Sequence, residues 1–309
     1  MKLKYLVLIL LVVIVNTILI PAQTKTEGRQ VLVINSNNLI GRYLSAQNEF
    51  IKQVDCSVQI YDMNEQLDDS KQNLEQTIQH INPDILYCIG AGAYQSAAKY
   101  AHPREIIFSS IINWQRFSIY KNCYGISNEI PPAYQLTMFR FLCPDIRKIG
   151  IIYNPELNKE WIEEAIAAGR DTKFEFVIKK IKNFGDVHKK FNSFIEQIDA
   201  LWLIPDPTLL ENPQEVNWLF QTIDSLQKPI FAYSPVYENL GASLVVSEDQ
   251  ATIGRQAAGI AMDIIHRQPI DQQVQNPAGT DVSINLTKFA KYGVVVNPEA
   301  LNMVNRIIE

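Results

Sequence analysis

From residue 30 onward, short apolar runs alternate with longer stretches in which apolar residues recur at helical spacing. The first runs are QVLVIN (30–35), SVQIYD (57–62), DILYCIG (84–90) and EIIFSS (105–110). Between them the pattern predicts helices up to about Val54, over 71–81 and from Tyr94 onward. Strands that are apolar throughout, each followed by a helix, belong to a mostly parallel sheet covered on both faces. The same order then recurs: KIGIIYN (148–154), a helix over 158–168, FEFVIKKI (174–181), a helix over 186–197, DALWLIP (199–205), a helix over 215–226 and PIFAYS (229–234).

Matching positions keep a nearly constant offset. Asn35 and Asn154 close the first strand of each set, 119 positions apart; Asp84 and Asp199 are 115 apart, and Phe108 and Phe231 are 123 apart. The expectation is an α/β protein of two Rossmann-like, doubly wound lobes. The remaining segment is too short for a third domain. LVVSEDQATIGRQAAGIAMDII (244–265) predicts a strand, a turn and an amphipathic helix; VSINLTKFAKYG (282–293) and PEALNMVNRIIE (298–309) predict a strand and two helices. A chain that returns in this way crosses between lobes at a three-segment hinge, expected near 127–129, 247–249 and 280–282. The lobes are then 28–128 with 248–281, and 129–247 with 282–309.

The first 22 residues have a different pattern: Lys2 and Lys4, an apolar run from Tyr5 to Ile20 broken by Asn16 and Thr17, then Pro21 and Ala22. They are expected to form a signal peptide cleaved after Ala22, the alternative being an uncleaved membrane anchor. Without Lys2 and Lys4 the 28 basic residues fall to 26 against 33 acidic, net −7. That charge argues against nucleic acid, whose binding depends on Lys and Arg neutralising phosphates. A monomer outside the cytoplasm is expected.

Catalytic and metal motifs are missing from the sequence. His80, His102, His188 and His266 all fall within or at the end of predicted helices, and no G-x-S-x-G elbow occurs. Gly90 and Gly92 lack the third glycine of a dinucleotide loop. Cys56, Cys88, Cys123 and Cys143 form no C-x-x-C pair. No enzyme activity, cofactor or metal is therefore expected. Cys123 precedes a strand that runs toward the cleft and Cys143 ends a helix that returns from it, so the two are expected to approach one another; the alternative is four separate thiols.

Ligands of doubly wound sheets lie beyond the carboxyl ends of the strands. The residues just after the strands are Ser36, Asn37, Gly92, Ala93, Tyr94, Asn113, Trp114, Ser127, Asn128, Asn154, Asp206, Thr208, Ser234 and Tyr237, with Asp249 at the second crossing. Rings among neutral hydrogen-bonding groups suit reversible capture of a small organic solute, although Tyr153 and Tyr233, also near strand ends, fit a core equally well.

Four segments, IRKIGIIYNPELN (146–158), KPIFAYSPVYENLGASL (228–244), SEDQATIGRQAAGIAMDII (247–265) and INLTKFAKYGVVVNPEAL (284–301), resemble the ABC transporter substrate-binding proteins of the tryptophan/tyrosine-type group, which have the type I periplasmic-binding-protein fold. The resemblance implies a ligand-facing helix N-terminus over 90–96, and places Ser127, Asn128, Asn154, Asp206 and Asp249 at the cleft or hinge. It also implies an amino acid or related ligand delivered to a membrane permease with a cytoplasmic ATPase. A sensor feeding a membrane signalling protein is the alternative. Two departures stand out: Ile112, Asn113 and Trp114 replace a hydroxyl-Asp-Pro, and Asn128 follows Gly125, Ile126 and Ser127 where the family has Asp. Asn cannot supply the charge an ammonium wants. That role is expected of Asp206, with Glu238, Glu248 and Asp249 behind it, unless Asp206 only caps the next helix. The helix N-terminus at 93–96 would receive a carboxylate, and Trp114, Tyr94 and Tyr237 would enclose an apolar or aromatic side group.

Overall fold

The computed structural model of the chain describes residues 28–64, 70–100 and 102–309. The expected signal peptide lies outside the described residues. In the first lobe, β1 (Gln30–Asn35), β2 (Ser57–Asp62), β3 (Ile85–Ile89), β4 (Glu105–Ile111) and β5 (Cys123–Ser127) form a parallel sheet with α1 (Gly41–Gln53), α2 (Ser70–Ile81) and α3 (Ala91–Ala97) in the connections. The spatial order is β2-β1-β3-β4-β5, extended by the short β11 (Val274–Gln275). Every residue of β3 is buried, as expected for a central strand covered on both faces.

The second lobe repeats the order. Its helices are α4 (Pro132–Leu142), α5 (Pro155–Thr172), α6 (Phe184–Ile195), α7 (Pro207–Leu210) and α8 (Pro213–Ser225). Its sheet runs β7 (Glu175–Lys180), β6 (Lys148–Tyr153), β8 (Ala200–Trp202), β9 (Ile230–Ala232) and β10 (Leu244–Glu248), so in both lobes the first strand lies between the second and third. Trp202 anchors one face of this sheet, edge-on to Phe139 at 5.3 Å and to Trp161 at 4.9 Å. The sequence places the start of α5 at 158, and the structure shows why. Asn158 has φ −133°, a kink that separates the first turn, capped by Asn154, from the rest of the helix.

The chain passes between the sheets three times, after β5, between β10 and α9 (Gln250–Ile265), and between β11 and β12 (Thr280–Asn285). Helix α9 leaves the second sheet to bury Ile253, Ala257, Ile260 and Ala261 against Val31, Ala46, Phe50 and Ile107 of the first lobe. Strand β12 returns antiparallel to β10, with Glu248 opposite Thr280. The C-terminal segment differs from the expected helix. After α10 (Leu286–Lys291) comes a 3₁₀ turn at Pro298–Met303, then β13 (Arg306–Ile308), whose Ile307 pairs with Ile284. Pairing the open edge of β12 outweighs the weak helical pattern of a segment with Val304 and two isoleucines.

The cysteines also require a correction. All four are free and buried; Cys123 lies in the core of the first lobe and Cys143 in that of the second, so each fills its own core instead of approaching the other. Burial pushes the Cys143 thiol up to about 12. Among the described residues, no helix is long and apolar enough to cross a membrane.

Candidate functional site

A buried amide ties two crossings together. Asp249 caps α9 by accepting from the Ala251 and Thr252 N–H groups, and the cap aims the next side chain, Gln250, into the hinge. Gln250 Nε2 donates to Asn128 Oδ1 (2.7 Å) and Glu248 Oε1 (2.8 Å), while its Oε1 accepts from Ser110 Oγ (2.7 Å). Arg42, on α1 of the first lobe, donates to Ser234 Oγ of the second (3.2 Å) and pairs with Glu248. Burial pushes the Glu248 carboxyl above the usual carboxylate range, and the Arg42 charge and the hydrogen bonds oppose that rise.

Two adjoining spaces lie beside this network. The inner one, about 10 Å³, has Asn128, Gln135, Trp161, Trp202, Tyr233 and Glu248 in its walls. Trp202 Nε1 is satisfied by Gln135 Oε1 at 3.1 Å. The outer one is a groove of about 460 Å³ between Asn113, Gln115 and Arg116 of the first lobe and Glu156, Asn158 and Lys159 of α5 in the second. Such a volume is within the usual range for small organic ligands. Asn113 spans the lobes by donating its Nδ2 to Pro205 O (3.2 Å). Glu129 and Trp161 belong to the walls of both spaces. The Glu129 carboxylate accepts from the Asn113 backbone N–H. Burial raises its pKa, with the Asn113 N–H and the Arg116 charge acting in the opposite sense.

Of the residues expected at the site, Asn113 lines the groove and Asn128 the inner space. Ser127 accepts from the Glu129 N–H, and Ser234 holds Arg42. Asp206 is a correction. It has no solvent exposure, and its carboxylate accepts from Asn154 N (2.6 Å), Asn158 Nδ2 (2.8 Å) and Thr208 N (2.9 Å), so it caps α7 and joins two loops of its own lobe. Asn154 and Thr208 complete that structure through a 3.0 Å bond. The helix beginning near Gly92 is another correction. The Ala93 N–H, expected to meet a ligand carboxylate, donates to Ser36 Oγ at 2.8 Å, while Asn37 caps its own turn at Leu39. Three rings belong to packing. Tyr94 sits against Phe108 at 5.2 Å with its hydroxyl on Ser118 O, Trp114 lies 6.4 Å from Phe108, and Tyr237 stacks on Phe220 at 5.7 Å. Asp249, beyond its cap, pairs with Arg255. Among the described residues, no group of three or more His, Cys, Asp or Glu side chains is placed to hold a metal ion.

A family described as ABC transporter substrate binding protein matches residues 47–307. The chain belongs to this family. The chain covers 91% of itself and 99% of an ABC domain in complex with L-Trp from Streptococcus pneumonia, at 16% identity and TM-score 0.62. Coverage is the same, at 15% identity and TM-score 0.73, for the ligand-free, open form of a substrate binding protein with adhesive properties from Clostridium difficile. These likenesses establish the type I periplasmic-binding fold. A tyrosine-binding protein of Clostridioides difficile (strain R20291) is 23% identical over 212 residues, which is 65% of this chain and 61% of that relative's length.

Within this substrate-binding fold, sequence reasoning passed over Arg42, Glu129, Trp161 and Gln250. Gln250 could have been found from the cap that precedes it. Glu129 directly follows Asn128 at the first crossing, where an acid displaced by one position is a usable signal. Arg42 and Trp161 carry no such signal, because each lies on an amphipathic helix where a solvated charge or a core ring is the ordinary role.

Proposed function

We propose that this substrate-binding protein is exported and serves as the receptor of an ABC importer, capturing a small amino-acid-like solute between its lobes for a membrane permease with a cytoplasmic ATPase. The groove between Asn113 and α5 carries the reading. It is lined from both lobes, bridged by Asn113, and large enough for one small organic molecule. Trp161 beside charged and amide groups favours a ligand with an apolar or aromatic side group and a polar head. A relative that binds tyrosine and a similar fold holding L-Trp support an aromatic amino acid. The apolar leader at 1–22 supports an extracytoplasmic location. Closure on ligand follows by rotation about the three crossings.

Isothermal titration of the purified chain lacking residues 1–22 against the twenty amino acids, aromatic acids, purines and sugars tests this. Saturable binding of an aromatic or apolar amino acid is expected. Binding of sugars or purines with no amino acid overturns the reading.

A further inference from the structure

Resting on capture of an amino-acid-like solute, we propose that Glu129 is the residue that receives the ligand's ammonium group and so selects amines. Glu156, Glu160 and Glu163 also line the groove, but from exposed positions on α5 where water solvates them, and the buried or half-buried carboxylates nearby are engaged. Asp206 accepts three internal hydrogen bonds, Asp249 caps α9, Glu238 is held by Arg306, and Glu248 is neutralised by Arg42. Glu129 differs from all of them. It stands in the walls of both spaces, and among the described residues no Lys or Arg nitrogen forms an ion pair with it.

The backbone sends Asn128 and Glu129 in different directions. Asn128 turns inward, where its amide oxygen is taken by Gln250; the next side chain, Glu129, emerges toward the groove and is fixed by the Asn113 N–H. Asn113 has φ 53°, the left-handed conformation that Asn tolerates better than most residues, and this turn presents its N–H to Glu129. Asn113 thus serves as the support for the acid between the lobes. A carboxylate with little compensating charge in a partly buried place is costly, and a ligand ammonium relieves that cost through a charge-assisted hydrogen bond. Burial holding the Glu129 carboxyl above the usual range agrees with this. Glu129 is anchored to the first lobe and faces α5 of the second, so an ammonium bound there contacts the hinge at the boundary between the lobes.

The test is titration calorimetry of wild type, Glu129→Gln, Glu129→Asp and Glu196→Gln with L-tyrosine, L-tryptophan, tyramine and 3-(4-hydroxyphenyl)propionate. Glu196, exposed at the end of α6 and outside both spaces, serves as the control. Thermal melts establish that each variant is folded. Wild type should prefer the amines. Glu129→Gln should lose at least about tenfold in affinity for them, the scale of one charged hydrogen bond, and bind the deaminated acid unchanged. Glu129→Asp, which keeps the charge, should retain the preference, and Glu196→Gln should match wild type. Undiminished amine binding by Glu129→Gln overturns the assignment, as does equal loss of the amines and the deaminated acid. Wild type binding only compounds without an amine overturns the role of Glu129 and leaves solute capture standing. Wild type binding no compound, here or in the wider amino-acid panel, overturns both.

Discussion

Two glycines of α9 provide a paired test of how the first lobe is held together. A Cβ built at Gly254 would lie 2.2 Å from Ala46 O and 3.0 Å from Ala46 C, so α9 touches the backbone of α1 at this point. Gly259, five residues on, is exposed and has nothing within 4 Å. Gly254→Ala requires the helices to part by about 1 Å, and overpacking of this kind costs about 1–3 kcal/mol. Gly259→Ala relieves the backbone entropy of glycine in a helix and should stabilise by about 0.5–1 kcal/mol. Urea unfolding followed by far-UV circular dichroism reads both as opposite shifts of the midpoint at constant slope. Because α1 carries Arg42, Gly254→Ala should also weaken the Arg42 contacts to Ser234 and Glu248 and lower ligand affinity, which calorimetry detects. A Gly254→Ala protein as stable as wild type, or a Gly259→Ala protein destabilised to the same extent, would refute this account of the helix contact.

Asp206→Asn keeps one acceptor oxygen but sets an amide against the donors of Asn154 and Asn158; a loss of about 1–3 kcal/mol in chemical denaturation is expected, with unchanged ligand affinity in the folded fraction. For Asp224, burial alone would raise the pKa, but hydrogen bonds from Lys288, Lys291 and Tyr292 outweigh it and hold the carboxyl well below its ordinary 3.8. A depressed folded value gives stability that is present above pH 3.8 and lost as pH falls toward the folded value. The stability difference between wild type and Asp224→Asn should therefore be full at pH 6 and shrink on acidification below the ordinary value, and since the group is one-third exposed it should not exceed about 1 kcal/mol. Ellman's reagent should find none of the four thiols in the native protein and all four after unfolding in denaturant, and a reducing agent should leave the unfolding midpoint unchanged.

The duplicated lobes were legible because strand burial is written directly into apolar runs, and the offsets between Asn35 and Asn154 or Phe108 and Phe231 survive divergence. The last strand was not, since three residues, Arg306–Ile308, pair only because β12 offers an edge assembled by a distant crossing. Asn113, Asn128 and Ser234, expected from their positions after strands, lie at the groove, the inner space and the Arg42 contact, but position alone could not separate a ligand contact from a cap. Asp206 and Glu129 are both acids in loops; one is enclosed by three donors and the other opens onto the groove, a difference set by how the lobes meet. Tyr94 and Tyr237 went to the core for a related reason, since a ring at a strand end can turn either way and local sequence does not say which.

The return of α9 to the first lobe has a consequence for how the chain is made. Strands β1 to β5 are complete by residue 127, yet the face that they and α1 present stays bare until residues 250–265 arrive, after five of the second sheet's seven strands. A chain emerging from its N-terminus therefore cannot finish its first lobe early, and contacts between residues some 200 positions apart are slow to form. Until α9 arrives, the N-terminal half is an incomplete sheet with Ile107 and Phe50 left without their covering layer. A fragment ending at the first crossing would have the strands of a lobe without its covering layer and should aggregate.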